Sequence, residues 1–335
     1  MASGSAKAVY AAIGANSVIT VTKLTAFAFT GSGAMFSEGI HSLADVINQT
    51  LLALGIKKAK KAPDADHPYG YGRDAFIWSL ISAVGIFFLG CGFTLYHGIH
   101  SLMHPEAPEK IHIAAGVLIF SFVLEAWTLW VAYKAVDDAA KDLGIGFSQY
   151  VKEGPDPMAV AVLLEDAAAV MGVTLAGASI ALFVVTGNPI WDAIGSIIIA
   201  ILLGTVAVFL VVRNRKALLG QSVSPGQHAR VMDVLESDPA VESVRDVKAT
   251  VMSADGFRFK AEVDFNGRAI ATQWLADQDI EQIHGRVASE PAHLREFLLE
   301  FGEHMTTAVG DEIDRIESAI QDAVPAAKHV DLESD

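Results

Sequence analysis

The sequence predicts an α-helical polytopic membrane protein with six transmembrane helices, followed by a smaller C-terminal α+β domain. Three observations predict this class. The chain of 335 residues is 52% apolar with a mean hydropathy of +0.39, high for a soluble protein. Six apolar runs of ~20 residues or more, enough to cross ~30 Å of hydrocarbon, precede residue 215. The formal charge of −15 is unevenly placed, because residues 221–335 hold 23 acidic against 10 basic side chains. The boundary therefore divides the chain into a membrane domain, 1–216, and an acidic domain, 217–335.

The runs fall near Val9–Phe29, Ala34–Ile56, Phe76–Leu102, Ile113–Tyr133, Ala159–Val185 and Ile190–Val212. Met1 to Lys7 is too short and too weakly basic for a secretory leader, so the first run is expected to be a retained span. Thr30 to Gly33 joins the first two runs and Thr186 to Pro189 the last two. Both connections are uncharged and turn-like, as in tight hairpins. Lys57, Lys58, Lys60, Lys61 and Arg73 flank the second connection, Lys134 and Lys141 lie at the fourth, and Arg213, Arg215 and Lys216 follow the last run. The positive-inside rule then places both termini in the cytoplasm, and the third connection, His104 to Lys110, outside. A bacterial inner membrane is the expected location.

Beyond Gly220 the pattern becomes α+β. Ser224 and Pro225 cap a helix through Ser237, and Val241–Ser253 and Arg258–Phe265 alternate around a turn at Asp255 and Gly256, as in a hairpin. A helical pattern runs from Thr272 to Val324, and His329–Leu332 reads as a short last strand. The acidic balance of this part argues against nucleic acid and is compatible with cations. Cys91 is the sole cysteine, which excludes an intramolecular disulfide and thiolate zinc clusters. No phosphate loop or nucleophile–base arrangement is present, so an enzyme is not expected.

The chemistry lies in polar groups inside the apolar runs. In the second, Glu38, His41, Asp45 and Asn48 share one helical face at three- and four-residue spacing. Ionisable groups in a span cost ~2.5–3.5 kcal/mol each on insertion scales, so they face a bundle interior or a wet path. Glu165 and Asp166 interrupt the fifth run and are the expected partners. Imidazole and carboxylate together bind Zn²⁺, whereas Mn²⁺ or Mg²⁺ prefers all-oxygen shells. Inter-helical hydrogen bonds are the structural alternative. Glu125 in the fourth run is a proton-relay candidate or an ion-pair partner for Lys23. His97 and His100, at the end of the third run, read as interfacial non-ligands, and Asp192 as a cap for the sixth.

These motifs resemble the cation diffusion facilitators, a family of proton-coupled zinc transporters. The resemblance rests on Gly14, Ala15 and Asn16 through Lys23, on Gly31 through Val46 with its Ser37, Glu38, Gly39, His41 and Asp45, on Asp66 through Arg73, and on Asp192 through Ser196. It implies a homodimer in the lipid bilayer, each protomer carrying six spans and a cytoplasmic ferredoxin-like domain, that exports Zn²⁺ in exchange for protons by alternating access. Zn²⁺ would be the transported substrate, with no organic cofactor and no nucleic acid. The adjacent Glu165 and Asp166 are similar to the branch that includes the animal mitochondrial zinc exporter.

Two departures bear on the site. Asp166 matches the family's aspartate in the second half of the transport site, but Val162 stands where a ligand is usual. His41, Asp45 and Asp166 then need a fourth ligand, for which Glu165, Glu38, Asn48 or water are candidates. In the second connection Asp64, Asp66 and His67 are kept but Tyr71 replaces a second histidine, so a weak loop site or a plain turn is expected. These departures also favour the rival reading, a metal sensor or scaffold that does not transport. Mn²⁺, Fe²⁺ and Cd²⁺ remain alternative substrates.

Overall fold

The structure, a computed structural model, describes residues 2–30, 33–104 and 111–335, with side chains described outside 2–5, 27, 30 and 33–41. The chain forms two compact units, residues 1–221 with 253–255, and residues 222–252 with 256–335.

The first unit is a helical bundle of α1 (Ala2–Thr30), α2 (Gly33–Ala59), α3 (Asp74–Gly85), α4 (Phe93–Met103), α5 (Ile111–Asp142), α6 (Phe147–Glu153), α7 (Pro157–Thr186) and α8 (Ile190–Leu218). A π-helical stretch, Ile86–Gly92, joins α3 to α4 as one continuous rod. Among the described residues four helices are long and apolar enough to cross a membrane: Asp74–Met103, α5, α7 and α8. Local chemistry sets their ends. Asp156 accepts the N–H groups of Met158 and Ala159 and Pro157 begins α7, while Gly187, at φ 68°, ends it in the left-handed region. Asn188 Oδ1, and not Asp192, accepts the Ile190 N–H where α8 begins. Asp192 falls inside the first turn, where its charge favours the helix dipole.

The bundle has an apolar core, but it also buries many polar side chains and exposes large apolar ones. Phe88 is 67% exposed, Ile119 67% and Val185 84%, whereas Asn16, Lys23, Gln49, Ser79, Ser82, Glu125, Asp166, Arg213 and Asn214 are buried. Water would favour the reverse arrangement, and lipid favours this one, since hydrocarbon solvates Phe and Val and leaves polar groups to find partners between helices. One such partnership is Arg213, which donates to the carbonyl of Gly154 at 2.7 Å. It ties the end of α8 to the α6–α7 connection.

The second unit contains α9 (Pro225–Glu236), β1 (Val241–Ser253), β2 (Gly256–Phe265), α10 (Gly267–Ala276), α11 (Ile280–Val287), α12 (Pro291–Ala323) and β3 (Ala327–Ser334). Its sheet has the order β1-β2-β3. The two residues between β1 and β2 allow only an antiparallel hairpin, and β3 runs parallel to β2 after the helical crossover. Alternate β2 residues Phe257, Phe259, Ala261 and Val263 are buried, as are Val231 and Leu235 of α9 and Ile316 and Ile320 of α12. The single helical pattern expected over Thr272–Val324 is three helices. Asp279 caps α11 by accepting the Gln282 N–H, and Pro291 opens α12. A proline ring cannot continue the preceding helix.

A charged cavity between the spans

A cavity of about 120 Å³ lies between α1, α2, the α3–π–α4 rod, α5, α7 and α8. Its lining brings together Asp45 and Asn48 from α2, Glu125 from α5, and Glu165 and Asp166 from α7. Asn16, Lys23 and Gln49 join them; these polar residues sit in apolar runs, which is the signal that marks them. One lysine thus faces four carboxyl groups. Lys23 Nζ donates to Ser42 Oγ at 2.9 Å, three residues before Asp45 on α2.

Glu165 and Asp166 are neighbours in sequence and differ in surroundings. Glu165 Oε1 accepts from Asn48 Nδ2 at 2.7 Å and from Ser82 Oγ at 3.3 Å. These bonds draw its carboxyl toward α2 and α3, as the ~100° between successive helical residues requires. Asp166 is 3% exposed, and its Oδ2 has no hydrogen-bond partner. Asn48 Oδ1 and Gln49 Oε1, also buried, lack partners as well. All three atoms are acceptors. Buried acceptors without donors are costly; a cation or a water donor relieves all three, and a proton relieves the carboxylate.

Glu38 and His41 belong to α2, but their side chains lie outside the described residues. Among the described residues no three His, Cys, Asp or Glu side chains are grouped closely enough to hold a metal ion. Val162, one turn before Asp166, is fully buried in the apolar core and offers no lone pair. In the α2–α3 connection, Asp64 is engaged from three sides. Lys61 Nζ donates to Oδ2 at 2.7 Å, the Tyr71 hydroxyl to the same oxygen at 2.8 Å, and the His67 N–H to Oδ1 at 2.9 Å. Lys61, then Tyr71, hold the Asp64 carboxyl well below the usual carboxylate range. His67 packs on the Tyr71 ring at 4.2 Å between centroids, and Asp66 is exposed. In the second unit His293 Nδ1 meets Ser289 Oγ, Glu300 pairs with Arg286, and His304 lies against Trp274.

Fold and cavity together describe a helical bundle with apolar helices long enough to span a membrane and a cavity lined by carboxyl groups. Residues 9–219 match the cation efflux transmembrane domain, and the chain belongs to that family, the cation diffusion facilitators its motifs resemble. It is 44% identical over 332 residues to the proton-coupled zinc antiporter SLC30A9, mitochondrial, of Xenopus laevis, covering 98% of this chain and 59% of that relative. The human protein of the same name is 43% identical, with 98% and 58% covered. Metal tolerance protein C4 of Arabidopsis thaliana is 40% identical, with 98% and 73% covered. The chain thus spans 58–59% of the length of the antiporters.

These names correct the expected bacterial inner membrane, because the frog, mouse and human relatives are each described as mitochondrial. That expectation rested on the short stretch before the first apolar run. In a sequence matching only part of its relatives, such a stretch carries no information about targeting.

Proposed function

We propose that the chain is a proton-coupled zinc antiporter of a mitochondrial membrane, moving Zn²⁺ from the lysine-rich side of the bilayer to the other. The observation that carries this reading is the Asp166 carboxylate, whose buried, donorless Oδ2 belongs to the same cavity as Asp45. In this reading His41, one turn before Asp45 on α2, Asp45 and Asp166 are the ligands. Water fills the fourth position, and Glu38 and Asn48 are held in reserve. Glu165, anchored by Asn48 and Ser82, positions α7 against α2 and does not ligate. Zn²⁺ and protons compete for the same lone pairs, so deprotonated ligands take the metal on one side and protons displace it on the other. That competition couples the fluxes without a dedicated wire, and Glu125 lies where it can pass protons to the cavity. Asp66 and His67 at most form a weak loop site, because Asp64 is already engaged.

The reading extends to six spans, with α1 and α2 as the first hairpin, over residues 1–216. Residues 217–335 form a ferredoxin-like domain reduced to a hairpin, a helical crossover and one parallel strand, and two copies assemble as a homodimer. The antiporter names of the relatives support zinc as the substrate, with Mn²⁺, Fe²⁺ and Cd²⁺ as alternatives to test. Val162 favours the rival reading, a non-transporting sensor or scaffold.

Purified protein in liposomes holding a pH-sensitive dye separates the two. Zinc-driven proton movement is expected from the native protein, none from Asp45→Ala or Asp166→Ala, and flux within about tenfold of native from Glu165→Gln, which keeps the acceptor for Asn48. Flux retained in both aspartate variants would remove these ligands from the transport site. Silence of the folded native protein with all four metals would put the scaffold reading in its place.

A further inference from the structure

We propose that His100, which the sequence suggested was a non-ligand, and His104 form a second divalent-metal site, outside the cavity, at the end of α4. The pair has i, i+4 spacing, and the His104 N–H closes the last turn on the His100 carbonyl at 2.9 Å. His100 lies in the last turn of α4 and His104 is its C-cap, with non-helical backbone angles. The pair stands at the spacing by which two helical histidines hold zinc in metalloproteases, but the site rests on its ring geometry. The ring centroids lie 5.1 Å apart, tilted by 49°. Two imidazoles bound to one tetrahedral zinc at ~2.0–2.1 Å have centroids about 5 Å apart, so the separation suits a shared ion. Both residues are exposed, which leaves the remaining coordination positions to water.

The donors fix the ligand class. Two neutral nitrogens suit Zn²⁺, Co²⁺, Ni²⁺ or Cu²⁺ and give no advantage to Mg²⁺ or Ca²⁺. The place in the bundle gives the site a use. A Cβ added at Gly98 would meet Ile197 and Ser196, so this end of α4 runs beside the first turns of α8. Arg213, Arg215 and Lys216 mark the opposite end of α8. With only two protein ligands, binding is weak and exchange fast, as befits a station where metal waits on the side away from the lysines. That use rests on the transport reading; the binding itself does not.

Full-length protein carrying Asp45→Ala and Asp166→Ala would be titrated with Co²⁺, followed by visible absorption and calorimetry. One weak site with nitrogen-ligand bands is expected to remain, and His100→Ala or His104→Ala should each weaken it by at least the ~10-fold that losing even an outer-shell partner costs. The same titration of otherwise native protein guards against misfolding of the double variant, and each histidine variant should there bind one ion fewer. Unchanged binding in both histidine variants would overturn the proposal. A histidine-dependent Co²⁺ site in protein without zinc-driven proton flux would instead overturn the transport reading and leave this one standing.

Discussion

At the scale of single residues, the side chains divide by whether their polar atoms are already satisfied. Asp64 illustrates the satisfied kind. Its carboxylate is shared by the Lys61 ammonium and the Tyr71 hydroxyl, so a metal would have to displace both. Tyr71 therefore does more than omit a histidine; it occupies the oxygen a metal would use. Because the folded-state pKa of Asp64 is depressed, its contribution to the loop is present above the unfolded value, ~3.9, and lost only as pH falls through the lower folded value. Cleavage within residues 61–72 by an acid-active protease is thus expected to rise only below pH ~4, while Asp64→Asn opens the loop to trypsin at neutral pH. Opening of the native loop already between pH ~5 and ~6 would count against the clasp. Asp166 keeps one carboxyl oxygen, Oδ2, without a partner, and here the sequence was informative, since a carboxylate in an apolar run marks the position. What the sequence could not separate was Glu165 from Asp166. That difference depends on Asn48 and Ser82, which come from other helices and are 117 and 83 residues away.

At the scale of elements, close helix approach positions the cavity walls. A Cβ at Gly55 would lie 2.3 Å from Met158 Cε and 2.6 Å from Trp78 Cβ. The methionine tip can swing aside, but Trp78 Cβ is fixed to the α3 backbone, so α2 and α3 would have to separate. Gly55→Ala is expected to destabilise the bundle by about 1–3 kcal/mol, the usual penalty for overpacking. A thermal-unfolding midpoint unchanged from the native protein would show that α2 and α3 can separate at no cost. The elements themselves were largely legible where caps are chemical. Ser224 before Pro225 starts α9 as expected, whereas the single helical reading of Thr272–Val324 passes over Asp279 and Pro291, whose chemistry starts α11 and α12. The π-helical stretch was not legible. Its glycines permit the wider turn without requiring it, and three of its residues, Ile86, Leu89 and Gly90, line the cavity. Such bulges recur at functional sites.

At the scale of the whole molecule, the exposed apolar surface and buried polar groups of the first unit argue for a bilayer, and the count of crossings decides how a substrate traverses it. The charge pattern places Lys60 and the α7–α8 connection on opposite faces. If α1 and α2 both cross, their connection at Ser32 shares a face with Asn188; if neither crosses, Ser32 shares a face with Lys60. Cys91 is the native thiol and lies against Gly204, where an added Cβ would sit 3.0 Å from its sulfur, so Cys91→Ala removes background without adding bulk. In that protein Ser32→Cys, Lys60→Cys and Asn188→Cys are introduced singly, and sealed, uniformly oriented vesicles are treated with a membrane-impermeant maleimide. Six crossings predict that Ser32→Cys and Asn188→Cys label together and Lys60→Cys labels only after permeabilisation, or the reverse in vesicles of opposite orientation. Labelling of Ser32→Cys with Lys60→Cys would leave four crossings. His41 and Asp45 would then lie on a helix outside the bilayer, and a carrier that opens α2 alternately to two compartments would have no physical basis.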